Sequence, residues 1–226
     1  MLKTIATLAV ATCAFAFSTP TFAADEFPVQ ARLFLGNTGI NPDNLNDSIE
    51  PQGLKKMEML NQFGLEITYP VMSYLNVGVR YTKRTQTAIE DPDNSGTDYS
   101  AKLDQDSLLL VARAPFLKTD IFRLDAFVGA GGSNTTLKVK TAGQDGELTK
   151  SAGDGWAASP YAAAGIAASV GYKWIYFTAE VGYESNKVEG FKRSGSVDDD
   201  INSLDLSGSY FVIGLMFDGI PGSFKK

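Results

Sequence analysis

The chain has 226 residues, with 20 basic and 26 acidic side chains, a formal net charge of −6, no histidine and one cysteine. The acidic balance argues against nucleic acid as a partner, because phosphate binding needs a basic surface. The absence of histidine removes the commonest general base and the commonest metal ligand, so we expect neither an enzyme nor a bound cofactor.

The first element in chain order is a predicted secretory signal peptide over residues 1–23. An apolar run from Ile5 to Phe17 follows a single lysine and precedes a small-x-small cleavage site that ends at Ala23. A membrane anchor is the alternative, but the run is shorter than the roughly 20 apolar residues that cross a bilayer. Cys13 lies within the run rather than after it, which disfavours lipidation. We therefore expect residues 24–226 to form one exported, cysteine-free domain.

The remaining chain is dominated by period-two alternation of apolar and polar residues. Eight segments show it, and in most of them one side is apolar while the other mixes Gly, Ser and Thr with charges. The sixth segment is rich in alanine and by itself is also compatible with a helix. In chain order the segments are 29–36, 62–69, 75–82, 107–114, 122–131, 160–170, 175–184 and 210–217.

The links between these segments alternate between long and short. The long ones cover about 37–56, 85–101, 140–158 and 185–202, and the short ones 70–74, 115–121 and 171–174. A soluble periplasmic β domain also shows alternating strands, but long loops on one side and short turns on the other are typical of outer-membrane barrels. We therefore predict an all-β fold, an eight-stranded antiparallel up-and-down transmembrane β-barrel with both chain ends on the periplasmic, short-turn side.

Aromatic residues flank each short link and end the last strand. Because amphipathic rings favour the membrane interface, this set predicts an aromatic girdle at the periplasmic edge of the barrel. Its members are Tyr69, Tyr74, Phe116, Phe122, Tyr172, Trp174 and Phe217.

Four motifs carry a family resemblance: Gly64–Tyr69, Phe127–Gly131, Ala179–Tyr183 and Tyr210–Phe217. On them the chain resembles the small eight-stranded outer-membrane β-barrel superfamily, which includes the OmpA transmembrane domain, the OmpX and Ail group and the OmpW-like porin-family proteins. The resemblance implies a monomer in the outer membrane of a Gram-negative bacterium, surrounded by lipid and lipopolysaccharide and assembled by the barrel-assembly machinery. It also implies that the last strand ends at an aromatic residue, so we place the strand end at about Phe217 and a short periplasmic tail over 218–226.

The polar sides of the strands predict a charged barrel interior. An eight-stranded barrel is nearly filled by its inward side chains, and ions enclosed there must be paired. The inward charged residues are Arg32, Glu66, Arg80, Arg113, Arg123, Asp125, Glu180 and Glu184. They form either a structural plug or the gate of a narrow pore for ions or small solutes. We favour a largely plugged interior with a structural or surface-interaction role; the alternatives are the pore and a loop-mediated adhesin.

Two loop motifs point weakly to ligands. Asp91, Asp93 and Ser95 match the opening of a calcium-binding loop, but the twelfth position, where a bidentate glutamate is needed, is Lys102. We therefore expect no metal there. In the last long link the basic residues Lys187, Lys192 and Arg193 are suited to the phosphates of lipopolysaccharide.

Overall fold

The structure of the protein is a computed structural model that describes residues 27–89, 99–141, 144–151, 159–197 and 200–220. The predicted signal peptide lies outside these residues. None of the helices in the described ranges is long and apolar enough to cross a membrane.

The described chain consists almost wholly of β-strands. In chain order the elements are β1 (Phe27–Gly39), helix α1 (Asp43–Ile49), a 3-10 turn (Glu50–Gln52), β2 (Met59–Met72), β3 (Leu75–Ile89), β4 (Ser100–Lys118), β5 (Phe122–Thr141), β6 (Gln144–Lys150), β7 (Pro160–Tyr172), β8 (Ile175–Ser185), β9 (Lys187–Glu189), β10 (Lys192–Ser196), β11 (Ser203–Asp205) and β12 (Gly208–Ile220).

Eight of these strands close into a ring in which every neighbouring pair is antiparallel. The order around the ring is β1-β2-β3-β4-β5-β7-β8-β12, and β12 pairs with β1 to close it. Two of the short turns contain only the residues 73–74 and 173–174 between their strands. The predicted eight-stranded antiparallel up-and-down barrel is therefore confirmed.

The outer surface of the barrel is an apolar band. On β2, Gln62 and Glu66 are buried inside the barrel while Phe63, Leu65 and Ile67 are exposed on the outside. An exposed apolar surface that surrounds a polar interior is the arrangement of a transmembrane barrel. The band ends where outward positions on adjacent strands become polar, at Lys83, its partner Asp106 and the next partner Asn134.

On the side of this band away from the short turns, the long links fold into a compact unit, which we call the head (described residues 40–60, 86–89, 99–104, 136–141, 144–151, 186–197 and 200–207). The upper half of β5 leaves β7 and pairs with β6, which in turn pairs with β10. Strands β9 and β11 form a separate two-stranded sheet. The head has its own buried apolar core of Ile40, Leu45, Ile49, Leu54, Met57, Leu60, Ala88, Ala101, Leu103, Leu137, Val139, Leu148, Val188, Ile201, Leu204 and Leu206.

The structure corrects two expectations about strand ends. The long links are not simply polar loops, because β3, β4 and β5 continue beyond the predicted segments into the head. The last strand ends at Ile220 and not at about Phe217, because β1 begins early enough to pair Gln30 with Asp218 and Phe27 with Ile220. Gly219 adopts a positive φ of 80° beside the irregular register at this end, a conformation that glycine tolerates.

Candidate functional site

The structure places all eight predicted charged residues inside the barrel. Arg32, Glu66, Arg80, Arg113, Arg123, Asp125, Glu180 and Glu184 are each no more than 4 % exposed. Their strands present them inward because side chains alternate between the two faces of a strand. Their role as plug or gate remains a prediction at this point.

Glu66 is the hub of the central charge network. Its carboxylate accepts hydrogen bonds from Nε and Nη2 of Arg113 at 2.5 and 2.9 Å. Nε of Arg80 lies 3.7 Å and Nε of Arg32 3.8 Å from the same carboxylate. One glutamate therefore faces three guanidinium groups from strands β1, β3 and β4.

Glu180 completes this network from the opposite wall, on β8. It accepts hydrogen bonds from Arg80 and Arg113 at 2.6 Å each and from the hydroxyl of Tyr210 at 2.9 Å. The guanidinium carbon of Arg80 lies 4.2 Å from the ring centre of Phe34 and 4.7 Å from that of Phe127. Ion pairs and cation–π contacts together fix these arginines in place.

The network continues toward the short-turn end of the barrel. Asp125 accepts hydrogen bonds from Arg32 at 2.6 Å and from Arg123 at 2.7 Å. Asp218 then contacts Arg123 at 3.4 Å and accepts a 2.6 Å hydrogen bond from Gln30. Sequence reasoning missed Asp218, because it placed that residue in the tail beyond the last strand.

An apolar cluster, which we call the collar, packs against the arginines of the charge network. It is formed by Phe34, Leu109, Val111, Phe127, Tyr161, Ala163, Tyr210 and Val212, all buried. Gly64 makes room for it, because a β-carbon at this position would overlap the ring of Phe34. The inward glycine thus allows an aromatic ring to fill the lumen.

A second polar layer lies between the collar and the head. Arg84 forms a 2.8 Å ion pair with Glu184, donates to the backbone oxygen of Leu206 at 3.2 Å and donates to the side chain of Gln105. Gln105 in turn donates to Asn186 at 2.6 Å. These bonds tie the barrel wall to the segment that enters the head.

Arg84 is the second residue that sequence reasoning missed. The third segment was ended at residue 82, although the same alternation places Arg80 and Arg84 on one face of β3. With Arg84 and Asp218 included, the interior holds five arginines, at 32, 80, 84, 113 and 123, and five carboxylates, at 66, 125, 180, 184 and 218. The described interior is therefore balanced in charge.

The predicted girdle residues all lie at the short-turn end of the barrel. Trp174 and Phe217 stack there with ring centres 6.1 Å apart. Phe122 and Phe217 are partly buried, and the others are exposed. The exposed members are Tyr69, Tyr74, Phe116, Tyr172 and Trp174.

The weak ligand motifs of the loops receive little support. Asp91, Asp93 and Ser95 lie outside the described residues, and no group of acidic, histidine or cysteine residues within those ranges has the arrangement of a metal site. Lys187 pairs with Glu189 at 2.7 Å, and Arg193 donates to the backbone oxygen of Ile201 at 2.9 Å. Contact of Lys187, Lys192 and Arg193 with lipopolysaccharide stays a prediction.

No protein-family model matches the sequence, and a search of curated proteins found no match. Among solved structures, the chain is similar to Ail, the attachment invasion locus protein of Yersinia pestis, in complex with the heparin analogue sucrose octasulfate (13% identity, 84% of this chain and 99% of that chain covered, TM-score 0.47). It is also similar to OprG from Pseudomonas aeruginosa (14%, 86% and 95%, 0.45). A third similar structure is the outer membrane protease OmpT from Escherichia coli (9%, 89% and 99%, 0.48). At such identities and TM-scores, function has to be argued from the chain's own residues.

Proposed function

We propose that the chain is an outer-membrane protein of a Gram-negative bacterium that acts as a closed barrel and presents a folded head at the cell surface. Its role is structural or one of surface interaction. The observation that carries this proposal is the succession of buried side chains along the interior, from the charge network and the collar to the apolar core of the head.

The membrane setting follows from the outer surface. Residues such as Leu110, Val128 and Phe177 are 60–74 % exposed in the isolated chain. A soluble monomer rarely exposes apolar patches on this scale, whereas a bilayer stabilises them. The aromatic girdle at the short-turn end and the polar residues at the opposite end set the limits of the membrane-embedded part.

The order of layers along one strand supports a closed barrel. On β3, Arg80 lies in the central charge network, Arg84 in the upper polar layer and Ala88 in the core of the head. An ion that crosses the barrel would have to pass paired charges, an apolar collar and a second apolar core. The hydrocarbon side chains of the collar and of the head core offer no groups that replace the water around an ion, so the desolvation cost is high.

A pore is the second candidate, and one observation favours it. The side-chain amide of Gln62 and Nη1 of Arg113 are buried without a hydrogen-bond partner among the described residues. Buried polar groups of this kind are usually satisfied by water, so the lumen has places for water molecules. Conduction would still require the side chains of the collar, and those of the head core, to move apart and open a passage.

The orientation of the barrel in the membrane can be tested with single introduced cysteines. The only native cysteine, Cys13, lies in the segment that is predicted to be removed, so it would not react. Lys138→Cys places a thiol on the exposed outer face of the head, and Asp120→Cys places one in the turn between β4 and β5. A membrane-impermeant maleimide should label Lys138→Cys on intact cells and Asp120→Cys only after permeabilisation. Labelling of Asp120→Cys on intact cells would contradict a head at the cell surface.

A further inference from the structure

One side of the head contains a polar crevice of about 270 Å³. Its walls come from two segments, the start of helix α1 and the stretch around β11, and Tyr183 of β8 lies at its membrane-proximal end. The residues that line it are Asn41, Asp43, Asn44, Tyr183, Ser203, Asp205 and Ser207. The crevice lies outside the barrel interior and takes no part in the charge network.

The lining has the chemistry that recognises sugars. Amides, hydroxyls and carboxylates donate and accept hydrogen bonds, which matches the many hydroxyl groups of a saccharide. The ring of Tyr183 is 55 % exposed and offers a flat apolar surface, on which the C–H face of a sugar ring can stack. The volume falls just below the range of about 300–1,000 Å³ for drug-sized ligands, which suits one or two sugar rings.

The walls of the crevice are held in place by the core of the head. Leu45 follows Asn44, and Leu204 and Leu206 flank Asp205; each of the three leucines is at most 1 % exposed. Asn44 also donates a 3.3 Å hydrogen bond to Ser203 across the crevice. The backbone that carries these polar groups is therefore already in place, which lowers the entropy lost when a ligand binds.

The charge of the lining narrows the class of sugar. Asp43 and Asp205 are acidic, and neither lysine nor arginine lines the crevice. Lys187 is the register partner of Asp205 in the β9–β11 sheet, and its ammonium group forms an ion pair with Glu189 at 2.7 Å. A sulfated or phosphorylated sugar would therefore be repelled, and an amino sugar would be attracted.

We propose that this crevice binds a neutral or amino-bearing saccharide at the outer edge of the membrane. The proposal rests on the surface location of the head under the proposed function. The sugar can come from the glycan part of the surrounding lipopolysaccharide or from a free glycan outside the cell. Both sources present the same hydroxyl-rich chemistry.

The test is a titration of the full chain, refolded in detergent without lipopolysaccharide, with three probes: the glucosamine disaccharide, its N-acetylated form and a sulfated disaccharide. We expect the glucosamine disaccharide to bind more tightly than the sulfated one, and Tyr183→Ala and Asn44→Ala each to weaken it at least tenfold. Asp205→Asn should reduce the preference for the amino sugar over the N-acetylated one. Lys138→Ala, on another face of the head, is the matched control and should bind as the unaltered chain does.

Heat-dependent gel mobility confirms that each variant is folded. Three results would overturn the proposal. The first is that neither the glucosamine disaccharide nor its N-acetylated form binds, and the second is that the sulfated disaccharide binds as tightly as they do. The third is that Tyr183→Ala and Asn44→Ala both leave the affinity unchanged. If binding occurs and added lipopolysaccharide abolishes it, the membrane's own glycan is the source; if binding survives, a free glycan is. If Lys138→Cys is labelled on intact cells but no sugar binds, only this inference is refuted. Labelling of Asp120→Cys on intact cells contradicts the proposed function instead.

Discussion

Replacing Glu66 with alanine removes the carboxylate that three arginines face. Arg113 loses contacts of 2.5 and 2.9 Å, and Arg80 and Arg32 lose contacts of 3.7 and 3.8 Å. The three arginines then share only Glu180 and Asp125, so one positive charge is left without a counter-charge inside the barrel. Removing one partner of a buried ion pair costs about 3–5 kcal/mol, and we expect a loss of this size in the free energy of unfolding.

The measurement is urea-induced unfolding of the protein refolded into lipid vesicles, followed by tryptophan fluorescence. Glu50→Ala is the matched control, because Glu50 pairs with Lys56 at 3.2 Å with both side chains about half exposed. Loss of an exposed pair should cost at most about 1 kcal/mol. If Glu66→Ala is no more destabilising than Glu50→Ala, the assignment of Glu66 as a buried hub is wrong.

Three further substitutions test other parts of the account. Gly64→Ala should lower the free energy of unfolding by about 1–3 kcal/mol, because the new methyl group overlaps the ring of Phe34. The loss should shrink in a Phe34→Leu background, and an equal loss in both backgrounds would speak against this contact. Leu137→Ala should cost the core of the head about 2–5 kcal/mol and accelerate proteolysis of the head, while the exposed neighbour Lys138→Ala should not. Arg84→Ala leaves Glu184 without its ion pair and should also expose the head to protease; unaltered digestion would show that Arg84 does not hold it.

The barrel itself was predictable because each spanning strand has one face toward lipid and one toward a polar interior. That constraint produces an alternation of apolar and polar residues with a period of two, as in β8, where Phe177 and Val181 point outward and Glu180 inward. Counting parity along the strands was enough to find eight interior charges. The same rule extended by two residues on β3 would have included Arg84.

The head was not predictable in this way. Several of its core residues, such as Leu45, Leu148 and Ile201, come from different links and become buried only against one another. Each of these residues has polar neighbours on both sides in the sequence, so no local period predicts its burial. The saccharide crevice depends on the same long-range packing, because Asn44 and Ser203 are brought together by the fold and not by sequence spacing.

The most direct test of a closed barrel is the conductance of the refolded protein in a planar lipid bilayer. Folding is checked beforehand by β-rich circular dichroism and by a heat-dependent shift in gel mobility. We predict that the folded protein gives no discrete openings. Regular openings of the unaltered protein, changed in size or frequency by Glu66→Ala or Arg113→Ala, would contradict the closed interior and establish a pore gated by these charges.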